Sequence, residues 1–191
     1  MENNIKLYIV PGFGESVSDP AYVKIAQIAE GYGYRVILVP IHWSKRTATY
    51  WVKDFSSVVE RHGSSNSIAL GFSFGAYVIA LTSEIKKFNE IILCSVSPYF
   101  KEDLKFIPQD SLNFFGKRRV KDFKLHSTPI FNTKTHIYFG DQDWPMAIEK
   151  AKKLAQGSKL VTFSLIKGVG HDISDHLYIE AIKEKLKPPK L

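Results

Sequence analysis

Ser73 lies in the segment Leu70-Gly71-Phe72-Ser73-Phe74-Gly75-Ala76, a G-x-S-x-G pattern. A serine hydroxyl can attack a carbonyl carbon once a base takes its proton and a third group holds that base in the correct tautomer. The flanking residues suit such a nucleophile. Ser67-Ile68-Ala69-Leu70 is an apolar run of buried-strand type, and Tyr77-Val78-Ile79-Ala80-Leu81 continues as a small, apolar helical face. A serine on the sharp turn between them is expected in a strained backbone conformation with its hydroxyl pushed clear of the sheet. Gly71 and Gly75 then stand where a Cβ would collide with the crossing of strand and helix. The first helical turn also offers unpaired N–H groups and the positive end of a dipole to a developing negative charge.

Of the six histidines, His171 in Lys167-Gly168-Val169-Gly170-His171-Asp172 follows the last apolar run and precedes the last helical pattern. It is therefore the expected base. His42, at the expected end of the second strand, is the competitor. His62 and His126 read as surface residues, His136 begins a strand at the wrong end, and His176 falls on the outside of a helix. The acid is sought in Gly140-Asp141-Gln142-Asp143, where Asp141 and Asp143 both qualify and one of them is expected only to cap the helix begun by Trp144-Pro145.

These residues need a scaffold that gathers distant loops at one place. Strand-like runs alternate with helical patterns along most of the chain: strands at 6–10, 35–41, 67–72, 90–96, 135–139 and 159–166, and helices at 20–30, 47–61, 74–87, 145–156 and 174–186. Such alternation predicts a single α/β domain over 1–191, with a doubly wound, six-stranded, predominantly parallel sheet and helices on both faces. Ligands in such sheets bind outside the carboxyl ends of the strands. The loop Pro11–Ser16, Ser73, the 140–143 loop and the His171 loop all fall at that end. Between Tyr99 and Lys134 the alternation fails, which predicts an insertion with a short helix or two over one end of the sheet. Lys187-Pro188-Pro189-Lys190 reads as a frayed tail.

Composition narrows the classes. A chain of 191 residues with 45% hydrophobic and 24% charged residues can bury a core without staples. The single cysteine, Cys94, excludes a disulfide framework and a cysteine-based metal site, and its apolar neighbours mark it as a small buried hydrophobe. Met1–Ile5 carries no basic stretch, and the apolar run after it is too short for a signal peptide or membrane span, so a cytoplasmic protein is expected. The net charge of +7 is densest at Lys117-Arg118-Arg119-Val120-Lys121, read as a solvated surface rather than a nucleic-acid site. No feature bears on oligomeric state.

The order serine, acid, histidine, with 70 residues from Ser73 to Asp143 and 28 more to His171, resembles the α/β-hydrolase superfamily over nearly the whole length. The resemblance implies a strand order 2-1-3-4-5-6, a minimal fold lacking the two N-terminal strands of larger members, and a cap reduced to 99–134. It favours Asp143 over Asp141 as the acid. It also implies an oxyanion hole from the backbone N–H groups of Phe13 and Phe74, with Pro11 standing where many relatives have histidine. A serine nucleophile argues against haloalkane dehalogenase and epoxide hydrolase chemistry. The implied activity is cleavage of a small-molecule ester or thioester through an acyl-enzyme, with no metal or other cofactor. The alternative is a binding protein or sensor that keeps the pocket without turnover. Phe13, Phe72, Phe74, Tyr99, Phe114, Phe115 and Trp144 are candidate walls for the acyl group, of which two or three are expected to touch it.

Overall fold

A computed structural model describes residues 5–188; Met1–Asn4 and the Pro189–Lys190 part of the expected tail lie outside them. The elements run β1 (Lys6–Val10), α1 (Pro20–Gly31), β2 (Arg35–Leu38), α2 (Ala48–His62), β3 (Ser67–Phe72), α3 (Phe74–Thr82), β4 (Glu90–Cys94), α4 (Gln109–Phe123), β5 (Lys134–Gly140), α5 (Pro145–Gly157), β6 (Val161–Ile166) and α6 (His176–Leu186). All strand pairings are parallel, in the order β2-β1-β3-β4-β5-β6. Winding reverses between β1 and β3, so the loops after those two strands face each other at the carboxyl end.

The strand period of two divides the interior. Tyr8 and Val10 of β1, Ala69 of β3, and Ile91 and Leu93 of β4 join the core packed with α2, α3 and α5. Leu7 and Ile9, Leu70, and Ile92 and Cys94 face the opposite core, with α1 and α6. Because both faces are covered, β1, β3 and β4 read as continuous apolar runs rather than alternating ones. Cys94 is fully buried, as its neighbours predict.

Several element ends differ from the sequence expectation, and four of them have an identifiable local cause. β2 stops at Leu38: Val39 still donates to the Ile9 carbonyl at 2.9 Å, but Pro40 has no N–H to continue the ladder. β4 stops at Cys94 because Ser95 turns into the left-handed region, at φ 47°. α3 ends at Thr82, where Ser83 Oγ donates back to the Ala80 carbonyl at 2.7 Å and the chain continues in turns. β6 begins at Val161, since Lys159 and Leu160 form a turn.

The 99–134 insertion holds one 3-10 turn (Leu104–Phe106) and α4, which is broken at Gly116 (φ 76°). α4 leans over the carboxyl end of the sheet: the Phe115 ring lies 5.2 Å from Phe13 and 5.1 Å from Phe74. Among the described residues, no helix is long and apolar enough to cross a membrane.

Candidate active site

Ser73 is the residue between β3 and α3, at φ 54° and ψ −117°. The backbone on both sides is pinned: its N–H donates to the Cys94 carbonyl at 2.9 Å, and its own carbonyl accepts from Tyr77 N–H at 3.1 Å. The two glycines are required by close packing. A Cβ on Gly71 would stand 2.6 Å from the Gly75 carbonyl carbon, and one on Gly75 would stand 2.2 Å from the Val10 carbonyl oxygen. The turn is thus pressed against the end of β1. That contact fixes the distance between Ser73 and the loop that follows β1.

His171 Nε2 lies 3.0 Å from Ser73 Oγ, and its Nδ1 lies 3.1 Å from each carboxylate oxygen of Asp143. Asp143 is held inward by the turn in which its N–H donates to the Gly140 carbonyl. Gly140 has no room for a side chain, since a Cβ there would stand 2.1 Å from the Val169 carbonyl oxygen. Burial by itself would raise the Asp143 carboxyl. Hydrogen bonds from His171, Ser95 and the Trp144 N–H (2.7 Å) outweigh that and hold it below the usual carboxylate range. An ionised carboxylate only accepts, so the proton sits on His171 Nδ1 and Nε2 is left to accept from the Ser73 hydroxyl. Asp143 has 4% of its side chain exposed and His171 46%, so the acid is sealed while the imidazole stays open to water.

Asp141, the other candidate acid, accepts instead from the Gly168 N–H at 2.8 Å and ties the 140–143 loop to the loop that follows β6. His42 lies four residues beyond the end of β2, largely exposed, with Nδ1 3.4 Å from Asp54. His62 and His176 are at the surface. His136 sits low on β5 against Glu90 at 3.2 Å. His126 departs from the expected surface position: it is half-buried against Asp122 and Thr49, at the junction of α4 and α2.

The loop after β1 is built round Glu15, whose carboxylate accepts from the Gly12 N–H at 2.7 Å and from the Tyr22 hydroxyl. Among the described residues, the backbone N–H groups of Phe13 and Phe74 donate to no protein acceptor, and their rings meet at 5.7 Å. Arg119 departs from the solvated surface expected of its basic run. Its guanidinium covers the Phe13 ring at 5.2 Å and donates to the carbonyls of Trp43 and Arg46, both at 2.9 Å. The insertion therefore clamps the side chain of Phe13 from above.

A cavity of about 540 Å³ opens beside His171 and Asp143. Of the expected wall residues, Phe74, Tyr99 and Trp144 line it, together with Phe139, Ser95 and Ser97. Phe13, Phe114 and Phe115 form an aromatic cluster beside it, and Phe72 packs against the His171 ring at 4.8 Å. Sequence reading passed over Ser95, Ser97, Glu15 and Tyr22. Ser95 bridges to the hydroxyl of the buried Tyr178 at 2.9 Å. The one signal that could have found the serines is their position, directly after a central strand at its carboxyl end.

No protein-family model and no curated protein matches the chain. Solved structures do. It superimposes on mouse alpha/beta hydrolase domain-containing protein 10 with a TM-score of 0.79 at 14% identity, covering 95% of this chain and 87% of that one. Est1E from Butyrivibrio proteoclasticus gives 0.78 at 18% identity, over 97% and 88%. An alpha-beta serine hydrolase homologue from Coxiella burnetii gives 0.66 at 19%, over 96% and 83%. The fold of this protein is the α/β-hydrolase fold, in a six-stranded form.

Proposed function

We propose that the protein is a serine hydrolase that cleaves a small carboxylic ester or thioester through an acyl-enzyme. The observation that carries this reading is the unbroken hydrogen-bonded series Asp143–His171–Ser73, ending on a serine whose backbone is held at φ 54°. Ser73 Oγ attacks the carbonyl carbon while His171 Nε2 takes its proton. The carbonyl oxygen becomes an oxyanion facing the N–H groups of Phe13 and Phe74. Collapse breaks the bond to the alcohol or thiol, which leaves with the proton from His171. Water, reaching the exposed side of His171, gives up a proton to Nε2 and attacks the acyl carbon. Ser73 then departs and recovers that proton. Asp143 stays ionised throughout and stabilises the imidazolium.

The structural neighbours support hydrolytic chemistry. Est1E, which shares this fold at 18% identity, has been solved with ferulic acid bound, so esters of aromatic carboxylic acids belong in any substrate panel. The proton transfers are all supplied by side chains, and the reading calls for no cofactor. It places the activity on small molecules in the cytoplasm, not on nucleic acid. A fluorophosphonate probe tests it. Wild-type protein should be labelled on Ser73, and Ser73→Ala should not. A folded wild-type protein that takes no label but binds an ester tightly would instead be the non-catalytic binding protein.

A further inference from the structure

Ser73 Oγ has a second side-chain partner. Ser97 Oγ lies 3.1 Å away, in a residue only 5% exposed. Its backbone supports the contact, since the Ser97 N–H donates to the Ser73 carbonyl at 3.3 Å while the Ser73 N–H donates to Cys94. The segment leaving β4 thus brackets the nucleophile on both sides. Ser95 makes this path possible by turning at φ 47°, so that the chain comes back across Ser73 instead of extending the strand.

Proton accounting gives the direction of the bond. The Asp143 carboxylate puts the imidazole proton on Nδ1, so Nε2 accepts and the single Ser73 proton points at His171. Ser73 Oγ can then only accept from Ser97. Resting on the reading of Ser73 as nucleophile, we propose that Ser97 is a further catalytic residue, whose hydroxyl donates to Ser73 Oγ and stabilises the negative charge that this oxygen carries in deacylation. In that step Ser73 Oγ is the leaving atom. Its bond to the acyl carbon breaks, the electron pair stays on the oxygen, and the proton arrives from His171. A donor already aimed at the oxygen lowers the barrier without rearrangement. During attack by Ser73 the same donation draws on the lone pairs of the nucleophile, so acylation gains less.

The two half-reactions can be timed separately with p-nitrophenyl acetate on the full chain. Stopped-flow release of p-nitrophenol reports acylation, and intact-mass decay of the acetyl adduct reports deacylation. Ser97→Ala should slow adduct decay about ten-fold, the scale of one lost donor, while acylation changes less. Ser97→Thr and Ser97→Val have the same shape and differ in the hydroxyl, so Thr should restore deacylation and Val should not. A packing role would make the pair behave alike. Adduct decay in Ser97→Ala within two-fold of wild type, with Ser73 still acylated, removes the proposal and leaves the nucleophile reading standing. A wild-type protein that forms no adduct and takes no fluorophosphonate label removes both.

Discussion

Asp141 and Asp143, two residues apart on one turn, serve different partners: Asp141 Oδ1 accepts from the Gly168 N–H at 2.8 Å, whereas both Asp143 oxygens lie 3.1 Å from His171 Nδ1. The first contact closes a loop, and the second orients a ring. Substitution by asparagine separates them. Asp143→Asn should fold normally and lose about four orders of magnitude in kcat, because the amide favours the tautomer with the proton on Nε2. Asp141→Asn keeps an acceptor oxygen for Gly168 and should leave kcat within a few-fold. Asp141→Ala should cost about 1 kcal/mol in urea unfolding without entering the chemistry. A larger kcat loss in Asp141→Asn than in Asp143→Asn would move the acid to Asp141.

Ser73 holds a side chain at φ 54°, where non-glycine residues carry a penalty of about 1–3 kcal/mol. Strain of this kind is a property of the backbone site and not of the hydroxyl. Ser73→Ala and Ser73→Gly should both be inactive, yet the glycine variant should be more stable than the alanine one by about 1 kcal/mol. Paired urea titrations measure the difference. If alanine proves the more stable, the elbow is not strained in the way its dihedrals indicate.

Asp122 ties the insertion to the body. Its carboxylate accepts from Thr47 Oγ1 (2.9 Å), Thr49 N–H (3.0 Å) and Thr49 Oγ1 (2.8 Å), and lies 3.3 Å from His126 Nε2. It thereby caps α2 from the end of α4, while Thr47 makes no side-chain cap of its own. Burial alone would raise this carboxyl, but the bonds from His126, Thr49 and Thr47 prevail and bring it down to about 2. A folded-state value below the unfolded one adds stability above the unfolded value and loses it as pH falls toward the folded value. The advantage of wild type over Asp122→Asn should therefore be about 2 kcal/mol at pH 5 and above, and vanish as pH falls from about 4 to 2. A difference that does not change across that window would show that the charge contributes nothing to the tie.

The fold was legible because each of its signals is local. Apolar runs such as Ile91-Ile92-Leu93-Cys94 need no distant partner to be recognised as buried strands, and the spacing of glycines round Ser73 announces close packing before any contact is known. Element ends were less legible, since they hang on single events: the missing N–H of Pro40, the back-bond from Ser83, and the left-handed turn of Ser95. Ser95, inside the strand expected at 90–96, and Ser97, just beyond it, carry no signal of their own in the sequence, because their partners, Asp143, Tyr178 and Ser73, are brought to them only by the pairing of β4 with β3 and β5. Arg119 was hidden by its own neighbours. In a run of basic residues nothing in the sequence marks the one that turns inward onto Phe13.

The limited cover over the cavity bears on which acyl groups the site can turn over, since no residue of α4 lines it. Its walls are fixed by core residues: Phe139 belongs to β5, Ala147 to α5, and Tyr99 packs against Phe74 and Phe123 with its ring tilted to both. α4 does not extend the cover, since Phe114 faces solvent. A long acyl chain must therefore leave its distal methylenes in water, where they gain no binding energy to use in the transition state. kcat/KM for p-nitrophenyl butyrate should exceed that for the palmitate by roughly ten-fold or more. Trp144 stands at the cavity wall where α5 begins, so Trp144→Ala should narrow that ratio by opening room beside the acyl group. A wild-type preference for palmitate would mean that the 99–134 insertion moves to cover the chain, and the walls described above would not be the ones that select substrate.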